Sequence, residues 1–174
     1  MIIRKPNLEM LTSEGVPKDF ADVRDYFNQA LIDNSIPWIP RKTPITNDEI
    51  RKVWVPSSPI NITYVAENNG RVVGVNVVFL EKPSTSYEHR ELMQEGEMSG
   101  TVDPNSDYTP IMTGLIMATI EELKRRGKYA IAKTSGNRPF SEILQSLGYI
   151  PNNVVSEEYQ RANISEKAEV YRFP

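Results

Sequence analysis

The run from Arg90 to Thr134 constrains the fold most. It reads as a strand ending at Val102, a turn VDPNSDY, a helix that stops at Gly127 and a second strand, YAIAKT. Two strands of one sheet joined through a helix cross over right-handed and lie parallel. Upstream, Asn61 to Glu67 and Arg71 to Leu80 are β-branched and partly alternating, and Asn68-Asn69-Gly70 between them is a tight-hairpin signal. The two signals together demand a mixed sheet, antiparallel on one side and parallel at the crossover.

Other elements attach to this frame. Ile2 to Lys5 predicts a short first strand. Pro17 to Asp33 carries Phe20, Val23, Phe27, Ala30 and Leu31 at helical spacing, with Pro17 suited to the first turn. The segment from Asn34 to Pro59 is rich in proline and aromatic residues, including Trp38 and Trp54, and Thr46 caps a short helix over NDEIRKVW. In the strand ending at Val102, Gly96 and Gly100 share a face with Met98 and Val102, where glycine lets a backbone or ligand come close. Thr109 before Pro110 makes a cap and first turn for the following helix, whose apolar face includes Ile111, Leu115 and Ala118. Pro139 to Leu147 predicts another helix, closed by Gly148, and the tail from Asn153 to Phe173 two strands broken around Ile164 to Glu166.

At 174 residues the chain matches one domain, 1–174, with enough length for a sizeable core. A net charge of -3 with no long basic run argues against nucleic acid as a partner. The absence of cysteine excludes thiolate metal sites and a Cys nucleophile, and His89, the only histidine, leaves no triad to build. No metal is expected. No apolar run nears the roughly 18 residues of a membrane span, and MIIRKPNLEM has no signal-peptide pattern, so the expectation is a cytoplasmic protein without a membrane partner.

From Asn137 to Tyr149 the order is Asn, a helix with an aromatic, then Leu147-Gly148-Tyr149, with Asn137 eleven residues before Gly148. With the element order and Val102-Asp103-Pro104 ahead of the long helix, this resembles the GNAT superfamily of N-acetyltransferases over most of the chain. The resemblance implies a mixed α/β fold of about seven strands, mostly antiparallel with a parallel pair at the centre and helices on both faces. It also implies acetyl-CoA as acyl donor and a small-molecule or peptide amine as acceptor, and it is compatible with a homodimer. In such proteins a glycine-rich loop before the long helix offers N–H groups to the CoA pyrophosphate. Here that register falls on Asp107 to Met112 and has none of the motif residues: Asp107 brings negative charge and Pro110 has no N–H. The N–H groups of Ile111, Met112 and Thr113, with the hydroxyls of Thr109 and Thr113, would form a reduced anion site. Read without the resemblance, Thr109-Pro110 is simply a helix start.

Carried over residue by residue, the resemblance places the thioester along the strand that ends in Thr101 and Val102, with Glu97 as the base that takes the amine proton. Glu95 shares its face. The other reading of Glu97 is a solvated strand glutamate. Asn137 would hold the pantetheine arm, or else cap its helix, and Phe140 would line the groove or fill the core. The position seven residues after Asn137, where a tyrosine often protonates the leaving thiolate, is Leu144. Tyr108 and Tyr149 are the nearby hydroxyls. These losses keep a second function open, a catalytically silent domain that binds a ligand or a partner. The acceptor itself is not encoded in any motif, and the two-tryptophan segment is the place to look for it.

Overall fold

Asn69 and Gly70 both adopt positive φ, 51° and 77°, the pair of left-handed residues that a two-residue hairpin turn requires. They join β2 (Ile62–Asn68) to β3 (Arg71–Phe79) in the antiparallel pair that the sequence predicts. A computed structural model describes residues 1–35, 43–80, 95–134, 138–151 and 169–172. Around the hairpin, β1 (Ile2–Arg4), β4 (Glu95–Val102), β5 (Tyr129–Thr134), β6 (Ile150–Pro151) and β7 (Glu169–Arg172) complete a seven-stranded sheet. Its order is β1-β2-β3-β4-β5-β7-β6. Only β4 and β5 pair in parallel; every other ladder among the described residues is antiparallel.

The helices divide between the two faces. On one lies α1 (Lys18–Ile32), which buries Phe20, Val23, Phe27 and Ala30 against Val65 and Val72 of the sheet. Burying each phenylalanine is worth about 1.5–3 kcal/mol. Pro17 precedes this helix in extended conformation (ψ 131°) instead of forming its first turn. A helical run follows in three parts: α2 (Asn47–Glu49), a π-helical turn Ile50–Trp54, and α3 (Val55–Ser57). Thr46 Oγ1 accepts the Glu49 N–H at 3.2 Å, the predicted cap. Trp54 packs edge-on against Phe20, ring centres 5.6 Å apart.

The opposite face carries α4 (Tyr108–Arg125) and α5 (Arg138–Ser146). Their core joins Met112, Leu115, Ile116, Phe140 and Leu144 to Met98 and Val102 of β4. Of the tail predicted as two strands, only β7 falls within the described residues, and Trp38, His89 and Asn137 lie outside them.

Candidate functional site

β3 and β4 pair from Phe79–Glu97 to Gly74–Val102. The pairing of β4 with β5 is shorter, running only from Glu95–Tyr129 to Met98–Ala132. Beyond Met98 the two parallel strands therefore diverge, and Ser99, Gly100, Thr101 and Val102 keep β3 while losing β5. The Asp103 N–H donates to Val73 O at 2.8 Å, which fixes the phase of the β3–β4 ladder. Because hydrogen-bonded pairs alternate in an antiparallel ladder, Thr101 and Ser99 also turn their peptide groups to β3. Gly100 and Val102 turn theirs the other way, toward the gap that β5 has left.

Gly100 is also closely packed: a Cβ there would lie 2.8 Å from Asn76 Oδ1 and 3.0 Å from both Met112 Cε and the Val75 carbonyl. Asn76 is fully buried and donates through Nδ2 to Thr119 Oγ1 at 2.9 Å, and Thr119 in turn donates to Leu115 O at 2.8 Å. This polar chain ties α4 to β3 directly behind the diverging strand.

On the α1 face, the Tyr26 hydroxyl donates to Thr101 O at 3.3 Å. Tyr26 is buried, and burial, then the negative charge of Asp103, pushes its phenol well above the ordinary tyrosine value. Asp103 is itself buried. Its Oδ1 accepts the Asn105 N–H at 3.0 Å in an Asx turn, its carbonyl accepts Ser106 N–H at 2.9 Å, and Arg71 Nη2 lies 3.4 Å from Oδ2. The loop leading from β4 into α4 is thus fixed by Asp103. The sequence singles out Asp103 only as part of the VDPNSDY turn and the Val102-Asp103-Pro104 string, and does not single out Tyr26. An Asp-Pro-Asn-Ser string does signal an Asx turn, whereas nothing local identifies the acceptor of a tyrosine on a distant helix.

The start of α4 departs from expectation. The helix begins at Tyr108 with Asp107 in the cap position, its side chain making no capping bond, so Thr109 stands inside the first turn and does not cap it. Pro110 occupies the third helical position, where its fixed φ fits and its missing N–H breaks no intrahelical bond. This two-residue shift moves the outward-pointing donors. The N–H groups of Ile111, Met112 and Thr113 fall in the i to i−4 ladder, and those directed out of the helix end belong to the turn that Asp107 and Thr109 bracket.

Of the other predicted site residues, Thr101 is half-buried and Val102 buried at the end of β4, Thr109 is exposed, and Thr113 is half-buried. Ile111, Met112, Phe140 and Leu144 have buried side chains in the α4–α5 core. Glu97 stands in register between Phe79 on β3 and Ile131 on β5, one rung before the strands separate. Tyr149 is also a core residue, and burial raises its phenol to about 12. A shallow cleft of about 420 Å³ between the loop at Leu11 and α1 includes none of these residues. Its cations are already matched, Lys18 to Asp22 and Arg24 to Glu14 and Asp25. Among the described residues no cluster of His, Asp and Glu is fit to hold a metal, and no helix is long and apolar enough to cross a membrane.

A mixed sheet that splits between two parallel central strands, with α1 on one face and α4 and α5 on the other, is the fold of the GNAT-superfamily acetyltransferases. An N-acetyltransferase from Staphylococcus aureus matches it with a TM-score of 0.67, over 86% of this chain and 83% of that one, at 21% identity. A ribosomal-protein-alanine N-acetyltransferase from Brucella melitensis matches with 0.66, over 87% and 86%, at 22% identity. A putative acetyltransferase from Salmonella typhimurium, solved with its cofactor acetyl-CoA, matches with 0.65, over 87% and 80%, at 21% identity. The sequence matches no family model and no curated protein.

Proposed function

We propose that this protein is an N-acyltransferase that moves an acetyl group from acetyl-CoA to the amine of a small molecule or peptide. The observation that carries this reading is the divergence of β4 from β5 after Met98, which leaves the peptide groups of Gly100 and Val102 directed into the gap of a GNAT fold. A thioester carbonyl in that gap would accept a backbone N–H, and such a donor stabilises the oxyanion that forms on attack. The amine nitrogen bonds to the carbonyl carbon, the carbon–sulfur bond breaks and its electron pair leaves on CoA sulfur. Glu97, or a water held by it, takes the proton lost by nitrogen. The thiolate, with no tyrosine at position 144, takes its proton from solvent, which an alkyl thiol of pKa near ~8.5 tolerates.

On this reading Thr101 and Val102 flank the thioester, and Asn137 holds the pantetheine arm. The pyrophosphate faces the beginning of α4, near the hydroxyls of Thr109 and Thr113 and the backbone N–H groups from Asp107 to Thr109. Phe140 and Leu144 back the groove from within the core. The proposal places the enzyme in the cytoplasm and accommodates a homodimer. Binding comes first in its test: acetyl-CoA at 100 times its dissociation constant would add ~2.7 kcal/mol of stability, read as a rise in melting temperature. No rise with acetyl-CoA or longer acyl-CoAs overturns the reading. Acceptor profiling with labelled acetyl-CoA then follows.

One observation favours a second reading, a ligand-binding module without turnover. Leu144 is wholly buried at the position where the resemblance calls for a hydroxyl donor. A thermal shift with acetyl-CoA, but no transfer to any amine, would support it.

A further inference from the structure

The Tyr26 hydroxyl reaches one particular carbonyl on β4, and that carbonyl belongs to a peptide group with a second end. In a trans peptide the C=O and the following N–H point in opposite directions. Thr101 O, turned toward β3, accepts the Tyr26 hydroxyl at 3.3 Å; the other end of the same unit is the Val102 N–H, turned into the gap between β4 and β5. Hydrogen bonds in series polarise one another, so a donor on the carbonyl makes the N–H of the same unit a stronger donor. The same carbonyl faces the Val75 N–H across the β3–β4 ladder, so Tyr26 adds a second donor to it.

We infer that Tyr26 is a positioning residue that, through the Thr101–Val102 peptide, orients and strengthens the Val102 N–H as donor to the acyl carbonyl of the cofactor. The inference rests on the acyl-CoA reading above. It assigns the last turns of α1 a part in the chemistry although they stand behind the strand. Asp103, buried one residue beyond the peptide and held by Arg71 and the Asx turn, fixes the strand end on which the arrangement depends. Burial and the Asp103 charge keep the phenol protonated, and so able to donate, across the neutral range.

The test compares wild type with Tyr26→Phe, which keeps the ring and removes only the donor. Acetyl-CoA labelled with carbon-13 at the carbonyl is bound to each, and the carbonyl band is read by difference infrared spectroscopy. Affinities for acetyl-CoA and for CoA are measured alongside by calorimetry. The expected result is a band at higher frequency in the variant and a roughly threefold loss of affinity for acetyl-CoA, with CoA, which lacks the carbonyl, unaffected. An unmoved band and equal losses for both ligands would overturn the role of Tyr26 while leaving the acyl-CoA reading intact. Absence of acetyl-CoA binding in the wild type would remove the reading itself. If Tyr26→Phe does not fold, 3-fluorotyrosine at position 26, a stronger donor, replaces it; the band must then move to lower frequency, and an unmoved band again rejects the inference.

Discussion

A methyl group at residue 100 would press on Asn76 Oδ1 at 2.8 Å and on the Val75 carbonyl at 3.0 Å, and the backbone cannot yield as a flexible side-chain tip can. Gly100→Ala is therefore expected to cost about 1–3 kcal/mol, read as a lower urea midpoint; an unchanged midpoint would mean that β4 slides without penalty. At Glu97 the expectation concerns rate. If it is the base, Glu97→Gln lowers turnover by about 100-fold or more at neutral pH with folding unchanged, and a variant as fast as wild type excludes it. Single residues were legible in the sequence where their reason is local. The close approach at Gly100 follows from glycine in a strand, and the cap at Thr46 from a threonine ahead of an acidic turn. Tyr26 was not legible, because its acceptor lies 75 residues away and only the assembled sheet brings the two together.

Among elements, the β2–β3 hairpin was the most legible, since Asn69-Gly70 specifies it without help from the rest of the chain. A Cβ on Gly70 would meet nothing within 4 Å, so any cost of Gly70→Ala comes from its φ of 77° alone. About 1 kcal/mol is expected from equilibrium unfolding, and no loss would show that the turn relaxes to another geometry. Helix ends were read less well. The start of α4 lies two residues before the predicted one, because Pro110 fits the third helical position as readily as the first. The π-helical turn had no sequence signature that periodicity could detect. Pro56 offers no N–H to the carbonyl four residues back, and the Val55 N–H reaches Ile50 O, five residues back. A backbone adjustment of that kind follows from one missing donor and leaves the apolar pattern almost untouched.

At the scale of the molecule, two buried phenols, one in the core under α1 and one in the core under α4 and α5, make stability fall at alkaline pH. Tyr149 titrates at about 12 when folded, through burial, against about 10 in the unfolded chain. Between these values the unfolded state binds fewer protons than the native one, so stability is fully present below pH ~10 and falls as pH rises toward 12. Tyr26, shifted in the same direction, adds to the slope. Denaturant titrations from pH 9 to pH 12 should show a loss on the order of 2 kcal/mol from Tyr149 alone, reduced in Tyr149→Phe; parallel curves for the two proteins would contradict it. The mixed sheet and its parallel centre were legible because a crossover helix dictates them. The order of the last strands was not, since no local pattern records that β7 lies between β5 and β6. That interleaving has a consequence for synthesis. As the chain leaves the ribosome, β1 to β4 can pair as they emerge, and β5 can dock beside β4. The outer edge of β5 then stays bare, and β6 stays without a neighbour, until Glu169–Arg172 arrives to fill the space between them, so the last of the described strands to be made closes this side of the sheet.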